Sequence, residues 1–423
     1  MSTISGAPPW ETLQWNSRVT HLEIDDNSFT NEEPWQYNTP EELNTIKDKI
    51  AHLNEDVWEY YKKLTNIYEL IFTTNGYVPT PPSICMLKPL SRSYFKMVEI
   101  IQVANLLGRF NLQTLRTAHV CEGPGGFIQA IYDEAARYKK RIIQTYAMTL
   151  KPNENQVPGW KRAMNFLKKH PEIKILYGRS GTGDILDVEN RRSFSDECKG
   201  TIHLFTADGG VDFAANYGEQ EKTIYPLLIA SSLMALQCLS ENGAFVLKIF
   251  DSFSRPTEDL ILGLGSCFQS WTLYKPATSR PCNSEQYFIG IGYKRQFGVQ
   301  VAEVFTRILT SPFLPAHIWK EPSVRIEEYR QLQRGRSVQQ VEIIKDTLAL
   351  AEKGFNDGHL DIWNKHISES IKFCNKFHLP IVMPIVRAGE FEGEIEKSLR
   401  QLIGARIVSG GSGGSSSSLG TST

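Results

Sequence analysis

The chain has 423 residues, 41% of them hydrophobic and 22% charged, with a formal net charge of −1. This composition suits one large or two ordinary globular domains and excludes a disordered or collagen-like chain. The near-zero charge excludes a wholly basic body, so a polyanionic partner would have to meet a local patch.

Residues 1–38 are polar, with Trp10, Trp15 and Trp35 spread among acids and prolines, and read as irregular structure that packs onto something else. The start has neither a basic n-region nor an apolar h-region. No apolar run approaches the ~18–20 residues that span a bilayer, so a soluble, cytoplasmic protein with no membrane partner is expected. Thr39-Pro40-Glu41-Glu42 combines an N-cap, a first-turn proline and a glutamate at N3, which marks a helix start. Leu43, Ile46, Ile50, Leu53, Val57, Tyr61, Leu64, Tyr68 and Ile71 follow at steps of three and four, which predicts one long amphipathic helix packed within the molecule. Residues 1–80 are thus grouped as an N-terminal extension, closed by the Pro-rich break at 77–82.

Beyond the break, β-rich runs at 117–121, 142–147, 173–177, 202–207, 244–249, 271–275 and 286–292 alternate with helical stretches. That alternation predicts an α/β domain over 81–295 with a mostly parallel, seven-stranded sheet. From 296 to 407 the texture is charged and amphipathic, as in 324–329 and 338–353, and predicts a helical C-terminal region. Residues 408–423 are Gly/Ser-rich and read as a disordered tail. The cysteines Cys85, Cys121, Cys198, Cys238, Cys267, Cys282 and Cys374 are scattered and never form C-x-x-C, as expected of free thiols in a reducing compartment.

Chemistry concentrates in a few places. Cys121-Glu122-Gly123-Pro124-Gly125-Gly126-Phe127 lies between a strand and a helix, where glycines let backbone N–H groups approach a nucleotide-like cofactor. The spacing is neither G-x-G-x-x-G nor a P-loop. Asp208 sits at the tip of the strand Ile202-His203-Leu204-Phe205, and Lys248 interrupts an apolar run that reads as a strand covered on both faces. A lysine is rarely buried there without a partner or a task. Glu285 lies just ahead of the next strand, so acid, amine and acid gather where open α/β sheets place ligands. His119, before the loop, reads as a core histidine.

Several separate motifs over residues 80–295 resemble the FtsJ-like ribose 2′-O-methyltransferases, and within them the branch that methylates the first nucleotides of capped mRNA. Arg92-Ser93-Tyr94-Phe95-Lys96-Met97 is similar to the family helix that carries a first catalytic lysine, and residues 121–127 to its S-adenosylmethionine loop. The segments around Thr149 and Asp184 are similar to those flanking the cofactor's ribose and adenine. The resemblance implies a Rossmann-like methyltransferase fold with helical extensions at both ends, and a Lys96, Asp208, Lys248, Glu285 catalytic tetrad. It implies S-adenosyl-L-methionine, bound by residues 121–127, Thr149, Asp184 and Asp208, with no metal. The implied partners are RNA, as a capped mRNA 5′ end, and other capping or transcription proteins. Lys88 and Arg92, beside Lys96, are the candidate RNA-backbone contacts. The denser basic runs, Arg137 to Arg141, Lys161-Arg162, Lys168-Lys169 and Arg191-Arg192, read as solvated helix faces.

Lys248 is the candidate general base for the ribose hydroxyl, oriented by the acids. Burial and Lys96 would push its pKa down, while Asp208 and Glu285 would push it up. A lysine that stays charged and steadies the developing oxyanion is the other role open to it. Structured RNA as substrate, and a non-catalytic binding scaffold, are the competing functions. A nicotinamide-dependent oxidoreductase would leave the tetrad unexplained.

Overall fold

The computed structural model describes residues 8–11, 13–20, 22–30, 32–73, 83–152, 159–210, 220–320, 324–353 and 358–382. The 77–82 break, the 408–423 tail and the end of the expected C-terminal helical region lie outside them. The chain forms two units, one from residues 1–51 and 89–344, the other from 52–88 and 345 onward.

In chain order the first unit contains strand β1 (Asn16–Ser17), α1 (Glu41–Ala51), α3 (Ser93–Val103), β2 (Thr114–Val120), α4 (Gly126–Arg137), β3 (Arg141–Met148), α5 (Met164–Lys169), β4 (Ile173–Leu176), α6 (Val188–Cys198), β5 (Ile202–Ala207), α7 (Gln220–Cys238), β6 (Leu239–Ile249), α8 (Arg255–Cys267), β7 (Phe268–Tyr274), β8 (Gln286–Tyr293) and α9 (Arg295–Thr310). α2 (Glu55–Leu64) and α11 (Gly358–Lys376) belong to the second unit, and α10 (Val324–Lys353) crosses the boundary after Ile344.

The strands form one sheet in the order β1-β7-β8-β6-β5-β2-β3-β4. β2 to β6 pair in parallel, whereas β8 inserts antiparallel between β6 and β7. Each of the runs expected as strands is one. The sheet nevertheless has eight strands rather than seven, because Asn16–Ser17 pairs antiparallel with the outer edge of β7. Two polar residues carry no alternation to detect, so that strand exists only through its partner. β8 is buried at every position, and its register with β6 sets Lys248 opposite Tyr287 and Ile249 opposite Gln286.

From β2 the chain steps through α4 to β3 on one side, and from β5 through α7 to β6 on the other. Right-handed crossovers therefore put α4 and α7 on opposite faces, and the order reverses between β2 and β5. The crevice outside the carboxyl ends of those two strands is where such a sheet holds a ligand. The core around them is aromatic: Phe205 packs edge-on to Phe245, Phe245 stacks with Phe268, and Trp271 stacks with Phe288.

The expected single N-terminal helix is two helices. α1 ends at Ala51, and Asn54 caps α2 by accepting from the backbone N–H groups of Asp56 and Val57. Leu53 keeps the apolar spacing in phase across the break, so periodicity alone could not see it. In the second unit Trp58, Tyr60, Tyr61 and Leu64 of α2 are buried, as are Trp363, Phe373 and Cys374 of α11. All seven cysteines are free thiols. No helix among the described residues is long and apolar enough to cross a membrane.

Candidate active site

The loop after β2 turns because its residues allow it to. Cys121 takes φ 59° and Gly125 φ 102°, a left-handed value that a side chain rarely adopts, and α4 starts at Gly126. A Cβ on Gly126 would collide with the hydroxyls of Ser91 and Ser93, so the N-terminal ends of α4 and α3 meet closely. Pro124 and Phe127 are buried, with the Phe127 ring 5.8 Å from that of Tyr287. The first-turn N–H groups of α4 have no intrahelical acceptor and, with the helix dipole, favour a polar or anionic ligand.

Beyond β4, Gly183 has φ 70° and lies so close to the Thr149 carbonyl that a Cβ would strike it. This close approach joins Thr149 to the Asp184 segment. α6 then fixes that segment: Asn190 Nδ2 donates to the Asp184 carbonyl at 3.0 Å, and Arg191 Nη1 donates to the carbonyls of Ile185 and Leu186, each at 2.7 Å. Arg191 is therefore a buried clamp rather than part of a solvated face. Asp184 Oδ1 accepts from the Leu186 N–H at 2.8 Å.

The structure brings Lys96, Asp208, Lys248 and Glu285 together from four elements. Lys96 Nζ, from α3, lies 2.7 and 2.9 Å from the two carboxylate oxygens of Glu285, which precedes β8. Lys248 Nζ, near the end of β6, donates to the Asp208 carbonyl at 2.7 Å and sits 3.3 Å from its Oδ1. Tyr287 O–H donates to the same Oδ1 at 3.0 Å. All four side chains are between 9 and 15% exposed.

Electrostatics couple the two pairs. Burial would push Glu285 up, but Lys96 and then Lys248 hold its carboxyl down at about 2. Burial would lower Lys248, yet Asp208 and Glu285 outweigh it and place its pKa above the usual lysine value. In this state the acids prevail and Lys248 is protonated.

Two further groups shape the site and were not singled out from sequence. Lys275 is half-buried, its desolvation pulls its pKa down to about 8, and its Nζ donates to the carbonyls of Asn283 at 2.5 Å and Glu285 at 3.0 Å. Glu99, on α3 with Lys96, is fully buried and pushed up to about 7; it accepts from Tyr274 O–H at 2.5 Å and from the Ala277 N–H at 2.9 Å. Together they hold the loop that presents Glu285. A lone lysine and a lone glutamate in apolar runs were the available signals, and only their fold partners give them meaning.

Under the glycine loop, Glu122 is buried and accepts a short hydrogen bond from Thr206 O–H, with His119 Nδ1 3.4 Å from its other oxygen. His119 also bonds Thr206 at 2.7 Å and Thr117 at 2.9 Å. It is a satisfied core histidine, as expected, and Glu122 serves the loop from beneath. Burial is the main cause that raises the Glu122 carboxyl.

Of the candidate RNA contacts, Arg92 is half-buried and donates to the Thr278 carbonyl at 3.4 Å, while Lys88 is exposed and lies in the second unit. Among the described residues no cluster of His, Cys, Asp or Glu could hold a metal ion.

Residues 89–293 match the family model described as FtsJ-like methyltransferase. Three curated relatives are similar over parts of the chain. A cap-specific mRNA (nucleoside-2′-O-)-methyltransferase 2 from Danio rerio is 30% identical over 60% of this chain and 34% of its own length. A cap-specific mRNA (nucleoside-2′-O-)-methyltransferase 1 from Mus musculus is 35% identical over 45% of this chain and 23% of its own. A cap-specific mRNA (nucleoside-2′-O-)-methyltransferase from Autographa californica nuclear polyhedrosis virus is 32% identical over 40% of this chain and 61% of its own. The chain thus spans about a third of the first of these proteins and less than two thirds of the last. Residues 89–293, which contain both ion pairs and the glycine loop between them, thus form an FtsJ-like methyltransferase domain.

Proposed function

We propose that the protein transfers a methyl group from S-adenosyl-L-methionine to a ribose 2′-oxygen of RNA, at the nucleotides next to an mRNA cap. The observation that carries this reading is the side-by-side placement of Lys96–Glu285 and Lys248–Asp208 at the carboxyl ends of the strands, beside the glycine loop.

The residues suit the cofactor. The loop 121–127 and the first turn of α4 offer backbone N–H groups, Thr149 and Asp184 are held together by the Gly183 approach, and Asp208 supplies a carboxylate that favours a cationic centre. Bound there, S-adenosylmethionine supplies a methyl group on a sulfonium, open to in-line displacement. Lys248 takes the hydroxyl proton, and Asp208 and Glu285 orient the two lysines. Lys248 must first lose its own proton, and it does so more readily once Asp208 shares its charge with a second cation. Positioning of the hydroxyl and general-base help from Lys248, the latter about 10²–10⁴-fold, are the principal contributions of the protein.

A capped substrate is favoured over other RNA by the relatives' names and by a cavity of about 300 Å³ in the same unit. Its lining includes Tyr37, Asp48, Glu221, Asp251 and Phe253, the last two just beyond Lys248 in sequence. Asp251 Oδ2 pairs with Lys47 at 2.6 Å, while its buried Oδ1 has no hydrogen-bond partner among the described residues. Aromatic faces with excess carboxylate suit a cationic N-methylated purine. Arg92 and Lys88 are proposed phosphate contacts, and assembly with other capping proteins is part of the same reading.

The test supplies methyl-labelled cofactor with capped and uncapped RNA of one sequence. Label at a 2′-oxygen of capped RNA only, abolished by Lys248→Ala, is the expected result. Equal labelling of uncapped RNA would move the substrate to structured RNA. Cofactor binding with no transfer would leave a scaffold.

A further inference from the structure

α10 starts at Val324, beyond the family match that ends at 293. Tyr329, Gln333, Arg336 and Gln340 recur on it at steps of four and three, which puts them on one stripe. That stripe meets both stretches of chain that carry the site. Arg336 donates through Nη1 to the side-chain oxygen of Gln286 and through Nη2 to the Leu273 carbonyl at 2.5 Å. Gln340 Nε2 donates to the Cys282 carbonyl at 2.9 Å. Tyr329 O–H donates to the Ser252 carbonyl at 3.0 Å. Gln286 Nε2, in turn, reaches Gln333 Oε1 at 3.3 Å and the Phe250 carbonyl and Ser252 hydroxyl at 3.4 Å each.

Gln286 is the neighbour of Glu285, Cys282 lies in the loop before it, and Phe250 and Ser252 follow Lys248. One helix therefore ties the backbone on both sides of the tetrad. The choice of arginine is informative. Both of these partners are neutral, and burial pushes the Arg336 guanidinium down to about 10, so among the described residues no ion pair offsets its desolvation. Its rigid fork does bridge the end of β7 to the start of β8, the two ends of the loop that holds Glu285.

Resting on the reading above, we infer that α10 is a working part of the methyltransferase site, in which Arg336 and Gln340 are positioning residues that set Glu285 and, through it, Lys96. The domain matched by the family would then be an incomplete enzyme without a helix supplied from its C-terminal side.

The experiment is a double-mutant cycle in the full chain under single-turnover conditions, with Arg336→Gln, Glu285→Gln and the pair. Arg336→Gln should lower the methyl-transfer rate tenfold or more, with cofactor affinity within about threefold. In the Glu285→Gln background the same change should cost less than about twofold, because its route of action is gone. Equal losses in both backgrounds, or no loss in the first, would overturn the inference. Gln340→Leu, a milder change, should show the same dependence on Glu285, and its absence there counts against the inference too. Amide exchange of residues 276–286 supplies a readout independent of activity: faster exchange in Arg336→Gln is expected, and unchanged exchange is contrary. If the unaltered protein methylates no RNA, the proposed function fails, and the exchange result alone decides whether α10 holds this loop.

Discussion

Replacing one member of the Lys96–Glu285 pair at a time should move the pH dependence of methyl transfer in opposite directions. Lys248 is protonated here because Asp208 and Glu285 outweigh its burial, so the rate should rise with pH as Lys248 gives up its proton. Glu285→Gln removes one of the charges that support the protonated lysine and unmasks Lys96, which lies 2.7 Å from it. Both effects lower the Lys248 pKa. Lys96→Met does the reverse, because the Glu285 charge is no longer shared. For side chains of one site roughly 5–7 Å apart, an effective dielectric of about 40 gives about 1.2–1.7 kcal/mol, or about one pKa unit. The assay is the single-turnover rate with saturating cofactor from pH 6.5 to 10, whatever the drop in absolute rate. The alkaline-rising limb should shift about one unit to lower pH in Glu285→Gln and about one unit to higher pH in Lys96→Met. A limb that stays put in both variants would refute Lys248 as the titrating base and leave it as a fixed cation facing the oxyanion.

Two other outcomes concern the frame of the site. Glu99 is an acid whose folded pKa, about 7, lies above its ordinary 4.5, so the folded state binds the extra proton and stability falls as pH rises between those values. Chemical denaturation should show a loss of about 3 kcal/mol across that window that Glu99→Gln lacks, and parallel curves would contradict the assignment. Gly183→Ala combines a left-handed φ with a collision against the Thr149 carbonyl. It should weaken cofactor binding by tenfold or more in calorimetry, by strain of about 1–3 kcal/mol relayed to Asp184, and unaltered affinity would dissociate that turn from the cofactor.

Much of the sheet could be read from the chain because apolar runs bounded by turn residues are a local signal. Lys248 could be picked out because a charge in such a run is conspicuous, and Asp208 and Glu285 because they flank strands, whereas Lys96 stood out only through the resemblance of its helix to the family's. What escaped notice was decided by partners distant in sequence. Asn16–Ser17 is a strand only against Trp271 and Ser270, and the break at Asn54 hides inside an unbroken apolar rhythm. Arg191 looked like half of a solvated basic pair until the carbonyls of Ile185 and Leu186 gave it acceptors. Arg336 offered nothing but a charge on an amphipathic helix, and its meaning depends on Gln286 and Leu273.

The pairing of β1 with β7 has a consequence for biosynthesis. Trp271 Nε1 donates to the carbonyl of Ser17, 254 residues away in the chain. At about 5–20 residues per second, tens of seconds pass between the synthesis of those partners. Through that interval the first strand has nothing to pair with. When β7 appears it presents an open edge until β1 returns to it. The N-terminal segment thus waits for its partner although it precedes it in synthesis, and its pairing at Trp271 and Ser270 covers part of the β7 edge that would otherwise be open to other chains.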